Sequence, residues 1–168
     1  AHNCLVIDEV NSSDVWSSFR VGKRACATIV DFSSHPQARL QACHDGYKQA
    51  VHTRTFAISE SQGLTIEDHL EPGNDTALWR PPRSTRPVTA YFHLHPSWEP
   101  SQQQESVRCV HGDGTVIEVS SDGGSFRIVE TSYHEGFGKS VMRPCLVLEW
   151  TEGSGSATVR FSCLTSGT

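Results

Sequence analysis

The sequence predicts a single all-β domain, an antiparallel β-sandwich with long loops and at most short helical turns. Three observations carry that prediction. Short runs alternate apolar and polar residues with a period of two, which sends successive side chains to opposite faces of a sheet. Gly-rich and Asp-Gly punctuation recurs between those runs. No helix-length stretch combines a 3.6-residue apolar period with a starting cap and a C-terminal stop.

The elements follow in order. His44-Asp45-Gly46-Tyr47 and His52-Thr53-Arg54 lie at the junction of two strand-like segments, and Gly46 suits a turn. Glu71 to Pro87 holds Pro72, Pro81, Pro82 and Pro87 with little periodicity, so it reads as a long surface loop. Val88 to His95 predicts a strand with Val88, Ala90, Phe92 and Leu94 on a core face and Thr89, Tyr91, His93 and His95 on the other. Ser97 to Glu105 leaves room for short helical turns. Asp113-Gly114 signals a hairpin. Thr115 to Ser120, Phe126 to Thr131, Cys145 to Trp150 and Thr158 to Leu164 then read as strands, separated by turns at Asp122-Gly123-Gly124 and Glu152 to Ser156. Regular spacing of short strands and turns is the pattern of a sandwich.

Bulk properties narrow the function classes. A chain of 168 residues suffices for one domain with a core, and 36% hydrophobic against 20% charged residues places it among globular chains. A net charge of −5 supplies no basic field for nucleic acid, so any polyanion must be gripped locally. No apolar run reaches the ~20 residues of a membrane span. The chain starts at Ala1 and its one methionine is Met142. That start implies processing or a piece of a longer protein, with periplasm and cytoplasm of a bacterium both open. The six cysteines include no C-x-x-C pair, which disfavours a cysteine zinc knuckle. Cys145 and Cys163 lie in apolar runs and read as small buried thiols.

Several constellations could carry chemistry. His93-x-His95 would place two imidazoles on one strand face, half of a metal site, or would pack against a second layer. A cupin-type metal oxygenase would be built on such a pair. Asp45 beside His44, His52 and Arg54 could orient them for catalysis, but a buried polar corner is the stronger reading. Arg20, and the loop residues Arg80, Arg83 and Arg86, could fork onto a carboxylate or sulfate, or be solvated. Trp16, Trp79 and Trp98 would suit stacking on sugar rings in a noncatalytic carbohydrate-binding module. G-x-S-x-G, P-loop, G-x-G-x-x-G and H-E-x-x-H signatures are missing, so a hydrolase triad or a nucleotide enzyme has no support.

Ala1-His2-Asn3-Cys4-Leu5-Val6-Ile7-Asp8, then Ser13-Asp14-Val15-Trp16-Ser17-Ser18-Phe19-Arg20-Val21-Gly22, resembles the "AHNT…VD…S.VW..FRVG" stretch of the heparinase II/III-like polysaccharide lyases. His44-Asp45-Gly46-Tyr47, His52-x-Arg54, Ile66-x-Asp68 and Phe92-His93-Leu94-His95-Pro96 continue it in the same order, and Tyr133 to Gly138 more loosely. The resemblance implies a β-sandwich of the super-sandwich type, C-terminal to a helical toroid, in an enzyme that cleaves a uronate-containing polysaccharide by β-elimination. It implies that base and acid lie largely on the upstream toroid, that the sandwich closes one wall of the cleft, and that residues 1–168 alone are inactive. Partners would be an acidic polysaccharide or oligosaccharide and that toroid. His2 and Arg20 would face the cleft, and Arg20, His93 and His95 are the candidate substrate-binding residues. In members that bind zinc in the sandwich, the histidine of the first motif is a ligand. His2 takes that position, with the remaining ligands expected from strands before Ala1. Cys4 departs from the usual threonine.

Overall fold

In a computed structural model, which describes residues 2–17, 20–60, 63–73 and 85–164, the chain forms two antiparallel sheets and a small ribbon. The strands are β1 (Leu5–Ile7), β2 (Val10–Asn11), β3 (Val15–Ser17), β4 (Arg20–Val21), β5 (Ala27–Ser33), β6 (Ala38–His44), β7 (Ala50–Ser59) and β8 (Gly63–Pro72). The second half adds β9 (Pro87–His93), β10 (Trp98–Gln102), β11 (Ser106–His111), β12 (Val116–Ser121), β13 (Ser125–Gly136), β14 (Lys139–Thr151) and β15 (Ser156–Cys163). A five-stranded sheet runs β13-β14-β9-β1-β2 and an eight-stranded sheet runs β10-β11-β12-β15-β8-β7-β6-β5, with β3-β4 as a separate ribbon. The all-β sandwich is the predicted architecture. Among the described residues no helix is long and apolar enough to cross a membrane.

Alternation builds the core. On β9, Val88, Ala90 and Phe92 are buried as predicted, and they meet Leu5, Ile7, Leu146 and Leu148 of the same sheet. Facing them are Ile66, Leu70, Val107, Val119, Ala157 and Val159 of the larger sheet. Each fully buried aliphatic side chain of this kind contributes about 1.5–3 kcal/mol over exposure. Interior strand β14 is buried on both faces from Cys145 to Leu148, and for that reason its sequence reads as a continuous apolar run.

Three features differ from expectation. Ser97 to Glu105 contains a strand, not helical turns. β10 is the edge of the larger sheet, where Pro100 is tolerated because no donor is needed on its free side, and Trp98 packs against the core. Asp122-Gly123-Gly124 and Glu152 to Gly155 do not close hairpins; they carry the chain from one sheet to the other. Gly124 has φ +138°, and a Cβ there would lie 2.6 Å from the Glu149 carbonyl oxygen, so the crossing requires glycine. Cys145 is buried as predicted, whereas Cys163, at the end of β15, is exposed. Asp113-Gly114 does close the β11–β12 hairpin, with Gly114 at φ +92°.

Candidate functional site

Strand pairing gathers the histidines of the first half at the seam between the sheets. His44 stands opposite His52, and Arg54 opposite Asp68, all on the core side of the larger sheet. Gly46 N–H donates to His44 Nδ1 at 3.1 Å, so the proton of neutral His44 sits on Nε2. That nitrogen is 3.0 Å from His52 Nδ1, and His52 Nε2 is 2.7 Å from Asp68 Oδ1. His44 therefore donates to His52 and His52 to Asp68, with every imidazole nitrogen occupied. Arg54 closes the chain through Nε to Asp68 Oδ1 (2.6 Å) and Nη2 to Oδ2 (2.9 Å).

Electrostatics agree with that assignment. Burial, aided by His52, lowers the His44 pKa to about 4, so it is neutral near pH 7. Burial works against the Asp68 charge, but hydrogen bonds from His52 and Arg54 outweigh it and hold the carboxyl below its usual range. With both nitrogens of each ring engaged, neither histidine is a free base. The network acts as a polar clamp.

What it clamps is the start of β1. Arg54 Nη1 donates to the Asn3 carbonyl at 2.7 Å, and the Tyr47 hydroxyl donates to the Leu5 carbonyl at 2.6 Å. Asn3 reaches the other way, its Oδ1 accepting the His93 N–H at 2.9 Å. Asn3 thus bridges the two sheets and holds exposed His2 at the end of the smaller one, near His93.

The outward face of the smaller sheet is the second arrangement. The His93 ring stacks parallel to Tyr91, with centroids 6.3 Å apart, and its Nδ1 lies 3.2 Å from Thr131 Oγ1. The Arg143 guanidinium lies 5.4 Å over the Tyr133 ring, which meets His95 edge-on at 5.5 Å. Among the described residues no carboxylate pairs with Arg143, and its Nε is buried without a hydrogen-bond partner. Burial, then the Arg143 charge, lowers the His93 pKa. His93, His95, Tyr133 and Arg143 thus meet on one face with His2 close by, and the Arg143 guanidinium beside the Tyr133 ring could take an anionic, ring-bearing ligand.

The predicted residues scatter in part. His93 and His95 both border this face, but β9 ends at His93 and the chain turns, leaving His95 Nδ1 2.7 Å from Ser97 Oγ. The two imidazoles are therefore not a same-strand pair. Arg20 is exposed on the β3-β4 ribbon. Beside it Trp16, 76% exposed, lies against Gly22. Arg86 is neither solvated nor available, being buried with its Nε 3.0 Å from Glu152 Oε2. Trp79, Arg80 and Arg83 lie outside the described residues. Among the described residues no three or more His, Cys, Asp or Glu side chains group to hold a metal. Arg143 was not legible in the sequence, because its role depends on cross-strand placement beside Tyr133.

A family model described as heparinase II/III-like, C-terminal, matches residues 1–161. Among solved structures, a heparinase III has a TM-score of 0.73 at 12% identity, over 97% of this chain and 24% of that one. The heparan sulfate lyase HepC from Pedobacter heparinus has a TM-score of 0.71 at 16% identity, over 99% of this chain and 25% of that one. No curated protein sequence matches the chain. The chain spans about a quarter of the length of these solved structures.

Proposed function

The chain belongs to the heparinase II/III-like C-terminal family, and from that premise we propose that it is the sandwich part of a longer lyase that cleaves an acidic, uronate-containing polysaccharide by β-elimination. The observation that supports this reading most directly is Arg143, a cation stacked on Tyr133 without a carboxylate partner among the described residues, beside His93, His95 and His2. A guanidinium fork matches a carboxylate or sulfate in a bidentate way, and the tyrosine ring offers an apolar platform to a sugar.

In such an elimination a base takes the proton at C5, the C4–C5 double bond forms, the C4–O bond breaks and the leaving oxygen receives a proton. A cation on the uronate carboxylate stabilises the negative charge that develops. In this proposal the chain supplies binding and orientation, and the upstream toroid supplies most of the proton transfer. The clamp through Arg54 and Asn3 fixes His2 at the rim of the face. In this reading His2 would be one zinc ligand in the longer protein, with the remaining ligands supplied upstream. Among the described residues no three or more His, Cys, Asp or Glu side chains group to complete such a site.

Ultraviolet absorbance of unsaturated uronate products tests the proposal, on heparan-, alginate- and chondroitin-type substrates. The longer protein should give the signal and residues 1–168 alone should not; turnover by residues 1–168 alone would refute the division of labour. Exposed Trp16 beside Arg20 favours a second reading, a noncatalytic carbohydrate-binding module. Tight glycan binding by residues 1–168, lost on Trp16→Ala and paired with no elimination by the longer protein, would establish it instead.

A further inference from the structure

On β12 the inner row runs Ile117, Val119, Ser121, and it turns polar at its last member although Ser121 stands opposite buried Val159. The Ser121 Oγ is itself buried and has no hydrogen-bond partner, and a buried polar atom of that kind calls for an explanation. Ser121 lines a cleft of about 760 Å³ between the tip of the β10–β11 hairpin and the start of β13. Half-buried Phe126 and Ile128, which pack on the core, are its apolar lining. Gln102, Gln103, Gln104 and Glu105 supply most of its polar lining. The cleft is apart from the Arg143 face, since Phe126 and Tyr133 lie on one strand, about 23 Å from each other at the rise of a β-strand.

A cleft with an apolar wall and a few convergent polar groups is the general form of a small-ligand site. Two charged side chains line this one. Arg127 is held by Glu149, its Nε 2.9 Å from Oε1, so Glu105 leaves the lining net negative and unfavourable to a uronate or a sulfate. Gln102 Nε2 donates to the Gln103 and Ser106 carbonyls at 3.2 and 3.4 Å, which leaves its Oε1 to accept from a ligand. Among the described residues the Gln104 amide and the Glu105 carboxylate have no hydrogen-bond or ion-pair partner. Amides and hydroxyls both donate and accept, as the neighbouring hydroxyls of a sugar do, and the Phe126 ring offers an apolar surface to the C–H face of a pyranose. We infer that this cleft is a second saccharide site, one that takes an uncharged sugar unit through Gln104, Ser121 and Phe126. The inference does not rest on the lyase reading, because a chain that only bound glycan would use the cleft in the same way.

Titration calorimetry on the longer protein tests this, with cellobiose and diacetylchitobiose as uncharged probes and free glucuronate, which has no glycosidic bond to eliminate, as the charged one. At least one uncharged disaccharide should bind saturably in the millimolar range, and Gln104→Ala and Ser121→Ala should each weaken it by about five- to tenfold. The Ser121 hydroxyl has no partner within the protein, so Ser121→Ala should leave Tm unchanged or raised, which separates lost affinity from lost fold. Arg143→Gln should leave disaccharide binding as it was, and glucuronate should be indifferent to Gln104→Ala and Ser121→Ala. No saturable binding of either disaccharide, or equal affinity in the wild type and both cleft variants, would overturn the inference. So would a loss of disaccharide binding in Arg143→Gln, which would merge the cleft with the other face, or a loss of glucuronate binding in both cleft variants, which would make the ligand an acidic sugar.

Discussion

Asp68, Glu152 and Arg143 are three charged side chains in three different settings. Glu152 is 0% exposed and paired with buried Arg86 across the passage from β14 to β15. Glu152→Ala should cost about 3–5 kcal/mol in urea denaturation, because it strands a buried guanidinium. The seam network predicts pH dependence. His44 titrates near 4 in the folded chain and at 6.5 when unperturbed, so between those values the unfolded state binds the extra proton. Stability should be complete above pH 6.5, fall as pH drops toward 4, and fall further as Asp68 is protonated below its ordinary value. Urea midpoints measured from pH 7.5 to 4.5 check this, and His44→Gln should flatten the slope whatever it does to the midpoint. Sequence reasoning placed His44, Asp45, His52 and Arg54 in one polar cluster and favoured a structural role. It had no means of adding Asp68 as the anchor, since that contact depends on the β7–β8 register.

At the scale of elements, legibility tracked burial pattern. β9 and β12 to β15 alternate or run apolar because each lies against a covered core, and their positions were readable. β5 was not. It is exposed along nearly its whole length, so no burial imposes a pattern on its sequence. The Gly-rich turns were legible as turns but not as crossings between sheets, because the local chemistry of a tight turn does not depend on where the next strand pairs. Gly124 is the sharper case. Gly124→Ala should destabilise by more than about 1 kcal/mol, since the Cβ meets backbone and the φ is strained, and thermal unfolding against Gly114→Ala, where no atom lies within 4 Å, separates the steric part from the conformational part.

Among the described residues the chain is a lopsided sandwich, a five-stranded sheet against an eight-stranded one. Its closed part carries the core, its outward face carries Arg143 and the aromatic residues around it, and strands β5 and β7 expose Ile29, Phe32 and Ile58. The chain matches the heparinase II/III-like C-terminal family model and spans about a quarter of the length of the solved structures it resembles, and the lyase reading proposed above builds on that match. The most direct test of the central claim is kcat/KM of the longer protein, followed by unsaturated uronate absorbance, with Arg143 intact and with Arg143→Gln. Loss of a hydrogen bond to a charged group, about 1.5–3 kcal/mol, should lower kcat/KM by about 10- to 100-fold while circular dichroism and Tm hold. An unchanged kcat/KM in a folded variant would contradict the assignment of this face to the glycan.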